Sequence, residues 1–206
     1  MNPQLQHILM REAIIVQQEV ELTNVLIGVD MGNRYAIYGT NGEKLGLAAE
    51  VQGGVGGFLL RQIFNNARAC TVQIYDPQGQ EIGQARKPFK FIYSEMGAFD
   101  GDNEIGRTRR RTWIARNYTI SVNSDPLNPF AISSPLWQWK NIKFDITRNG
   151  VVVATIMKKF EGFLKMAFTQ ADNFSIQFHD ESLTLEERYT LFATLFLIDY
   201  DVFEQN

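Results

Sequence analysis

The stretch SLTLEERYTLFATLFLIDYDVFE, Ser182 to Glu204, decides the fold, because the helix that it predicts is apolar on nearly every side. Thr184-x-x-Glu187 is a capping box, a pattern in which each side chain binds a backbone N–H of the first helical turn. From Tyr189 to Ile198 the run contains neither Gly nor Pro. A helix that is apolar all round is buried, either in protein or in lipid.

The charges around this run favour burial in protein. A helix that crosses a bilayer needs about 20 apolar residues. Here Arg188 and Asp199 enclose a much shorter run, and Asp201 follows. In a bilayer span each acid near the centre would cost about 2.5 to 3.5 kcal/mol. We therefore predict a core helix over residues 184–203, with a membrane helix as the alternative.

Upstream, the chain repeats a hairpin pattern of alternating apolar residues around a tight turn. The repeats are YAIYGTNGEKLG (35–46), VQIYDPQGQEIG (72–83) and FDITRNGVVVA (144–154), with a weaker one in FDGDNEIGRT (99–108). Asn-Gly favours a two-residue hairpin turn because both residues tolerate positive φ. Hairpins repeated in this way predict an antiparallel barrel or sandwich.

An apolar helix combined with β-hairpins is an unusual architecture, and three long segments resemble the phospholipid scramblase family. They are residues 17–50, 71–83 and 162–181, the last leading into the C-terminal helix. The fold of this family is shared with the tubby C-terminal domain and the plant LURP-one-related proteins. The resemblance implies a mostly β, tubby-like fold: a closed antiparallel β-barrel of about twelve strands around a central C-terminal helix. It also implies one domain over residues 1–206, in which residues 1–15 are frayed or helical.

The same resemblance predicts a lipid function, with two departures. Animal members carry a Pro-rich tail and a palmitoylated Cys cluster, whereas this chain has Cys70 alone. Stable anchoring usually takes two signals. The N-terminus has no secretory signal pattern, so we expect a cytoplasmic protein that is at most peripheral at the membrane. A soluble scaffold or ligand-binding module with the same fold is the alternative.

The segment TQADNFSIQFHDE (169–181) matches a stretch that is proposed to bind Ca²⁺ in animal scramblases. The resemblance implies acidic ligands at three positions, which here are Gln170, Asp172 and Glu181, so two of the three carboxylates are present; Asp180 adds one nearby. Phe174, Ile176 and Phe178 occupy positions where a calcium loop supplies oxygens, and their period of two is typical of a buried strand. We predict a strand with polar ends, and keep Asp172, Asp180 and Glu181 as a weak Ca²⁺ site.

The strongest basic cluster is GRTRRRTWIAR (106–116). Its candidate lipid- or anion-binding residues are Arg107, Arg109, Arg110, Arg111, Trp113 and Arg116, and Lys158 and Lys159 could extend the surface. Arginine binds phosphate with a planar fork, and Trp prefers the membrane interface. Since the net charge is -3, binding to an anionic membrane needs such a local patch. The alternatives are nucleic-acid binding and a solvated strand whose arginines pair with acids of the barrel.

Enzymatic chemistry has little support in the sequence. The chain has 2 His, His7 and His179, and neither lies near a nucleophile motif. We therefore expect no catalysis, and at most the passive movement of lipid between leaflets. The segment GFLLRQIFNNAR (57–68) predicts either a plug of the barrel or an amphipathic membrane contact.

Overall fold

The computed structural model describes residues 1–19, 31–51, 69–112, 115–134, 143–158 and 173–203. Within these ranges, twelve antiparallel strands close into a barrel, so the predicted architecture is confirmed. The strands are β1 Ala13–Gln18, β2 Met31–Tyr38, β3 Lys44–Val51, β4 Cys70–Tyr75, β5 Glu81–Lys87, β6 Glu95–Asp100, β7 Asn103–Arg110, β8 Arg116–Val122, β9 Asp125–Ser134, β10 Lys143–Arg148, β11 Val151–Lys158 and β12 Asn173–Phe178. Each strand pairs with the next, and β12 pairs with β1 to complete the circle.

The predicted hairpins are present, and their turns follow the residue types that suggested them. Asn149 and Gly150 have φ of 53° and 81° between β10 and β11, which is the backbone of a type I′ turn. The weaker hairpin through residues 99–108 is also confirmed, with a turn at Gly101 and Asp102 between β6 and β7.

The N-terminal residues form a short helix that is followed by a strand. Helix α1 spans Pro3–Leu9, and the Asn2 side chain caps it by accepting a hydrogen bond from the Gln4 N–H. Strand β1 follows and fills the place between β12 and β2. Its apolar run Ala13 to Val16 is buried on both faces: Ile14 and Val16 belong to the main core, and Ile15 belongs to a second cluster with Ala36 and Tyr38.

The C-terminal helix lies inside the barrel, as predicted. Helix α2 spans Leu185–Ile198 and continues as a π-helical turn over Asp199–Phe203. Every residue from Tyr189 to Ile198 is buried. Glycine permits this close approach: a Cβ on Gly83 would lie 2.6 Å from the Tyr189 hydroxyl oxygen. The burial of α2 thus explains why the inward face of β5 carries a residue without a side chain.

The buried helix keeps its polar groups bonded. The Tyr189 hydroxyl lies 2.8 Å from the carbonyl oxygens of Gln84 and Phe99, and accepts from the Gln84 N–H at 2.7 Å. The Arg188 guanidinium donates to the carbonyl oxygens of Leu9 and Arg11. These hydrogen bonds attach α2 to the barrel wall and to the N-terminal segment. They also satisfy buried polar groups, which would destabilise the fold if they were left without partners.

The two rims of the barrel differ. The turn rim is the end formed by the tight turns at 39–43, 76–80, 101–102, 123–124 and 149–150, near which α2 begins. The helix-end rim is the opposite end, where β5 and β7 finish, β6 and β8 start, and the π-helical turn lies. The candidate site is on the helix-end rim.

Candidate functional site

Strand β7 presents two arginines to the outside of the barrel. Its residues alternate, so Gly106 and Thr108 face the core and Arg107 and Arg109 face outward. The Thr108 hydroxyl shares a hydrogen bond of 2.5 Å with that of Thr194 on α2. This inward contact fixes the register of β7 against the helix, and therefore the direction of both arginines.

The buried carboxylate of Glu95, on β6, forms ion pairs with three neighbouring cations. Its side chain pairs with Lys90 at 3.4 Å, with Arg109 at 3.2 Å and with Arg107. Arg107 also binds Glu104 through two nitrogens, and this hydrogen bonding raises its pKa. For Arg107 the interpretation as an arginine paired with acids of the barrel is therefore confirmed.

Arg110 points toward the end of the central helix instead. Its Nη1 lies 3.8 Å from a carboxylate oxygen of Asp201, which also accepts hydrogen bonds from the Ser94 and Tyr118 hydroxyls. Burial raises the pKa of Asp201, and burial together with this carboxylate raises the pKa of Tyr118 well above its usual value. Arg110 therefore contributes in part to stabilising the C-terminal end of α2 and the π-helical turn that follows it.

The remaining basic candidates divide between the rim and other places. Arg109 is exposed over 62% of its side chain, and Arg111 is exposed just beyond β7. Arg116 begins β8 at the same rim. Lys158 ends β11, which lies four strands from β7 around the barrel, so the structure does not join it to the cluster. Trp113, Lys159 and the segment 57–68 lie outside the described residues.

The sequence prediction missed the loop between β5 and β6, residues 88–94, which lies against these arginines. Phe91 is 74% exposed and Ile92 65% exposed, between the half-exposed rings of Phe89 and Tyr93. A surface pocket joins residues 90–95 of this region to Arg109, Arg110 and Arg111. The signal was available: between two strands, KPFKFIYSE (87–95) places large apolar residues where a turn would carry Gly or Asn.

We call Lys90, Arg107, Arg109, Arg110 and Arg111 the basic face, and residues 88–94 the β5–β6 loop. The carboxylates that the structure pairs with the basic face are Glu95, Glu104 and Asp201. Among the described residues, the five cations of the basic face exceed the three carboxylates that pair with them, which leaves positive charge in excess on the basic face. A groove of about 830 Å³ beside it is lined by further cations, including Arg86 and Lys87.

The calcium segment folds as the strand that its alternation predicted. β12 spans Asn173–Phe178, and Phe174, Ile176 and Phe178 are buried. Asp180 and Glu181 follow its far end at the turn rim, whereas Asp172 lies outside the described residues.

Of the candidate Ca²⁺ ligands, the structure describes Asp180 and Glu181. The Asp180 carboxylate accepts hydrogen bonds from the Ser182 N–H and hydroxyl, which lower its pKa. Ca²⁺ takes six to eight oxygens, and the described residues hold no group of three His, Cys, Asp or Glu placed to bind a metal. Calcium binding by Asp172, Asp180 and Glu181 stays a prediction.

Among the described residues, no helix combines the length and the hydropathy that crossing a bilayer requires. The described structure is thus a closed barrel with a buried central helix. At one end of the barrel, basic side chains lie beside exposed apolar ones.

The chain belongs to the Scramblase family, whose family model matches residues 1–205. It is 29% identical to human phospholipid scramblase 2, over 98% of this chain and 71% of that protein. It is 23% identical to a phospholipid scramblase family protein of Schizosaccharomyces pombe, over 96% of this chain and 61% of that protein. It is also 23% identical to altered inheritance rate of mitochondria protein 25 of Saccharomyces cerevisiae, over 97% of this chain and 72% of that protein.

Proposed function

We propose that this protein binds the surface of anionic phospholipid membranes through the basic face, and that bound protein takes part in passive movement of phospholipid. The observation that carries the proposal is the excess of cations at the helix-end rim, where Arg109 and Arg111 are exposed. The names of the phospholipid scramblases that this chain resembles support the second part.

Charge alone favours a membrane surface with anionic lipid. Each Lys or Arg near such a surface contributes about 1 kcal/mol to binding, and the contribution falls within a Debye length. Arg109 and Arg111 can reach phosphate without breaking the core, since neither is buried. Arg109 pairs with Glu95 but keeps 62% of its side chain exposed, whereas Arg107 and Arg110 are engaged by carboxylates in less exposed positions and contribute mainly to the field of the basic face.

Passive lipid movement involves no bond chemistry, so no catalytic group is needed. In this structure α2 is enclosed by the barrel. A lipid path that used α2 would require the helix to leave the barrel, with loss of the packing described above. We therefore place the membrane contact at the rim and not on the helix.

The test is co-sedimentation of the full chain with vesicles of phosphatidylcholine alone, and of phosphatidylcholine mixed with phosphatidylserine. We expect binding to the mixed vesicles that weakens at high salt. Arg109→Gln/Arg111→Gln should lower that affinity about 10- to 30-fold, at about 1 kcal/mol for each cation. Adding Ca²⁺ tests the calcium prediction in the same experiment.

A charge-matched control removes two cations from the turn rim, Arg11 and Lys44, which form surface ion pairs. Arg11→Gln/Lys44→Gln should bind as the unmodified chain does. Equal loss in both double variants would mean that net charge and not the basic face governs binding. Failure of the unmodified chain to bind either vesicle would favour the alternative, a barrel that serves as a scaffold or ligand-binding module.

A further inference from the structure

We propose that the β5–β6 loop inserts Phe91 and Ile92 into the interfacial region of an anionic phospholipid bilayer. This inference rests on the proposed membrane binding and assigns its apolar contact. The sequence prediction assigned lipid contact to basic residues, to Trp113 and, as an alternative, to residues 57–68, and did not include this loop.

The loop exposes adjoining large apolar side chains. Phe91 and Ile92 follow one another, and the Phe89 ring packs edge-on against Phe91 with centroids 5.3 Å apart. Single exposed apolar residues are normal on a protein surface, but contiguous ones mark an interaction site. Folding therefore leaves this apolar area available to a partner.

The ends of the loop are held while its middle projects. Pro88 follows β5 directly and has a restricted φ. At the other end, the Ser94 hydroxyl binds Asp201 and the Ser94 carbonyl accepts from the Arg110 N–H at 2.9 Å. The exposed residues between these anchors are presented outward by a fixed frame, so insertion needs no unfolding of the barrel.

The charges beside the loop select the partner. Lys90 lies within the loop, and Arg109, Arg110 and Arg111 line the same pocket as Phe91 and Ile92. Apolar insertion combined with attraction to anionic lipid is the two-signal arrangement that gives stable peripheral binding. Tyr93, with an apolar ring and a polar hydroxyl, suits the headgroup level. An acidic surface with an apolar interior, a bilayer containing phosphatidylserine, fits this composition.

The other rim provides the contrast. Leu127 is 88% exposed near the turn between β8 and β9, and Val151 is 65% exposed after Asn149 and Gly150. These side chains are at the opposite end of the barrel from the basic face. Leu127 therefore supplies a control of matched exposure and apolar character.

The first experiment measures binding of Phe91→Ser/Ile92→Ser to vesicles of phosphatidylcholine and phosphatidylserine at high salt, where the basic face is screened. We expect the affinity to fall by about 10- to 100-fold. This estimate assumes that each side chain, when inserted, gains roughly half of the free energy of transfer from water to an apolar medium. Leu127→Ser should bind as the unmodified chain does. Thermal unfolding of each variant checks that the barrel is intact.

The second experiment locates the loop. The variants Phe91→Trp and Leu127→Trp are compared with vesicles whose acyl chains carry bromine, which quenches nearby indole fluorescence. We infer insertion from additional quenching and a blue shift on binding for the Trp at 91 and not for the Trp at 127. These readouts do not depend on any loss of affinity.

The outcomes separate the two proposals. If the unmodified chain binds anionic vesicles but the serine variant binds equally well and the Trp at 91 shows no added quenching, the loop proposal is overturned and the basic face stands. If the unmodified chain binds no vesicle, both are overturned. Salt-sensitive binding with quenching at 91 supports both.

Discussion

The side chains at the two rims of this barrel have different roles. At the turn rim, polar residues close the backbone: the Asp76 carboxylate accepts from the N–H groups of Gln78 and Gln80 at 3.0 and 2.8 Å. At the helix-end rim, the β5–β6 loop exposes Phe91 and Ile92 beside Arg109 and Arg111. At the turn rim the Asp76 carboxylate satisfies backbone N–H groups of its own turn, while the helix-end rim places adjoining exposed apolar side chains beside positive charge.

This difference indicates a division of roles. Substitutions at the turn rim should change the free energy of unfolding, because its side chains hold turns and the start of α2. Substitutions at the exposed part of the helix-end rim should change membrane binding with little effect on stability.

The largest effect on stability is expected at the start of the central helix. The Glu187 side chain accepts the Thr184 N–H at 2.8 Å and pairs with Arg148 at 2.8 Å. Glu187→Ala should lower the free energy of unfolding by about 2 to 4 kcal/mol, through loss of the cap and an uncompensated, largely buried Arg148. Urea unfolding measures the loss, with Glu186→Ala as a neighbouring control. A similar loss in the two variants would contradict the role of the cap.

A smaller effect is expected at the turn between β10 and β11. Gly150 has φ of 81°, and a Cβ there would meet no atom within 4 Å. Gly150→Ala should therefore cost about 1 to 2 kcal/mol from backbone conformation alone. Gly150→Asn should cost less, since Asn tolerates this conformation, and vesicle binding should be unchanged in both. If Ala and Asn were equally tolerated, the conformational explanation would be wrong.

The smallest effect concerns the buried acid at the helix-end rim. Because burial raises the folded-state pKa of Asp201, the folded state holds this proton more tightly than the unfolded chain. Its contribution to stability is then full below the ordinary Asp pKa of about 3.9 and is lost as pH rises through the folded pKa. Asp201→Asn should remove this loss, so its stability relative to the unmodified chain should increase with pH.

Thermal unfolding of the two chains between acidic and neutral pH checks the sign. Arg110, Lys87 and the hydroxyls of Ser94 and Tyr118 oppose the burial effect on Asp201, so the difference is expected to be small. A difference that decreases as pH rises would show that these groups together outweigh burial, and a difference that stays constant with pH would show that the two effects cancel; either result would contradict the prediction.

Much of the fold could be read from local pattern. The Asn149-Gly150 turn, the capping box at Thr184 and the apolar run of α2 each depend on residues close in sequence, and all are present. The sequence analysis did not predict strand β1, because a buried strand of six residues carries no turn signal of its own. Its place is fixed by pairing with β12 and β2, which are distant in sequence.

The candidate site was only partly readable. The sequence marked Arg107, Arg109, Arg110 and Arg111 as one cluster, yet only the tertiary structure separates them. Glu95, on the neighbouring strand β6, pairs with Arg107, and Asp201 from the far end of the chain approaches Arg110. The sequence shows which side chains are charged. Whether a charged side chain is paired with an opposite charge depends on tertiary contacts.

By itself, then, the sequence determined the hairpins, the apolar central helix and the presence of a basic stretch, because these follow from local conformational preference and periodicity. The tertiary structure decided which end of the barrel exposes Phe91 and Ile92, and which arginines remain at its surface. The physical reason is that exposure and ion pairing depend on contacts between residues distant in sequence: burial of α2 within the barrel brings Asp201 from the end of the chain beside Arg110 and Ser94.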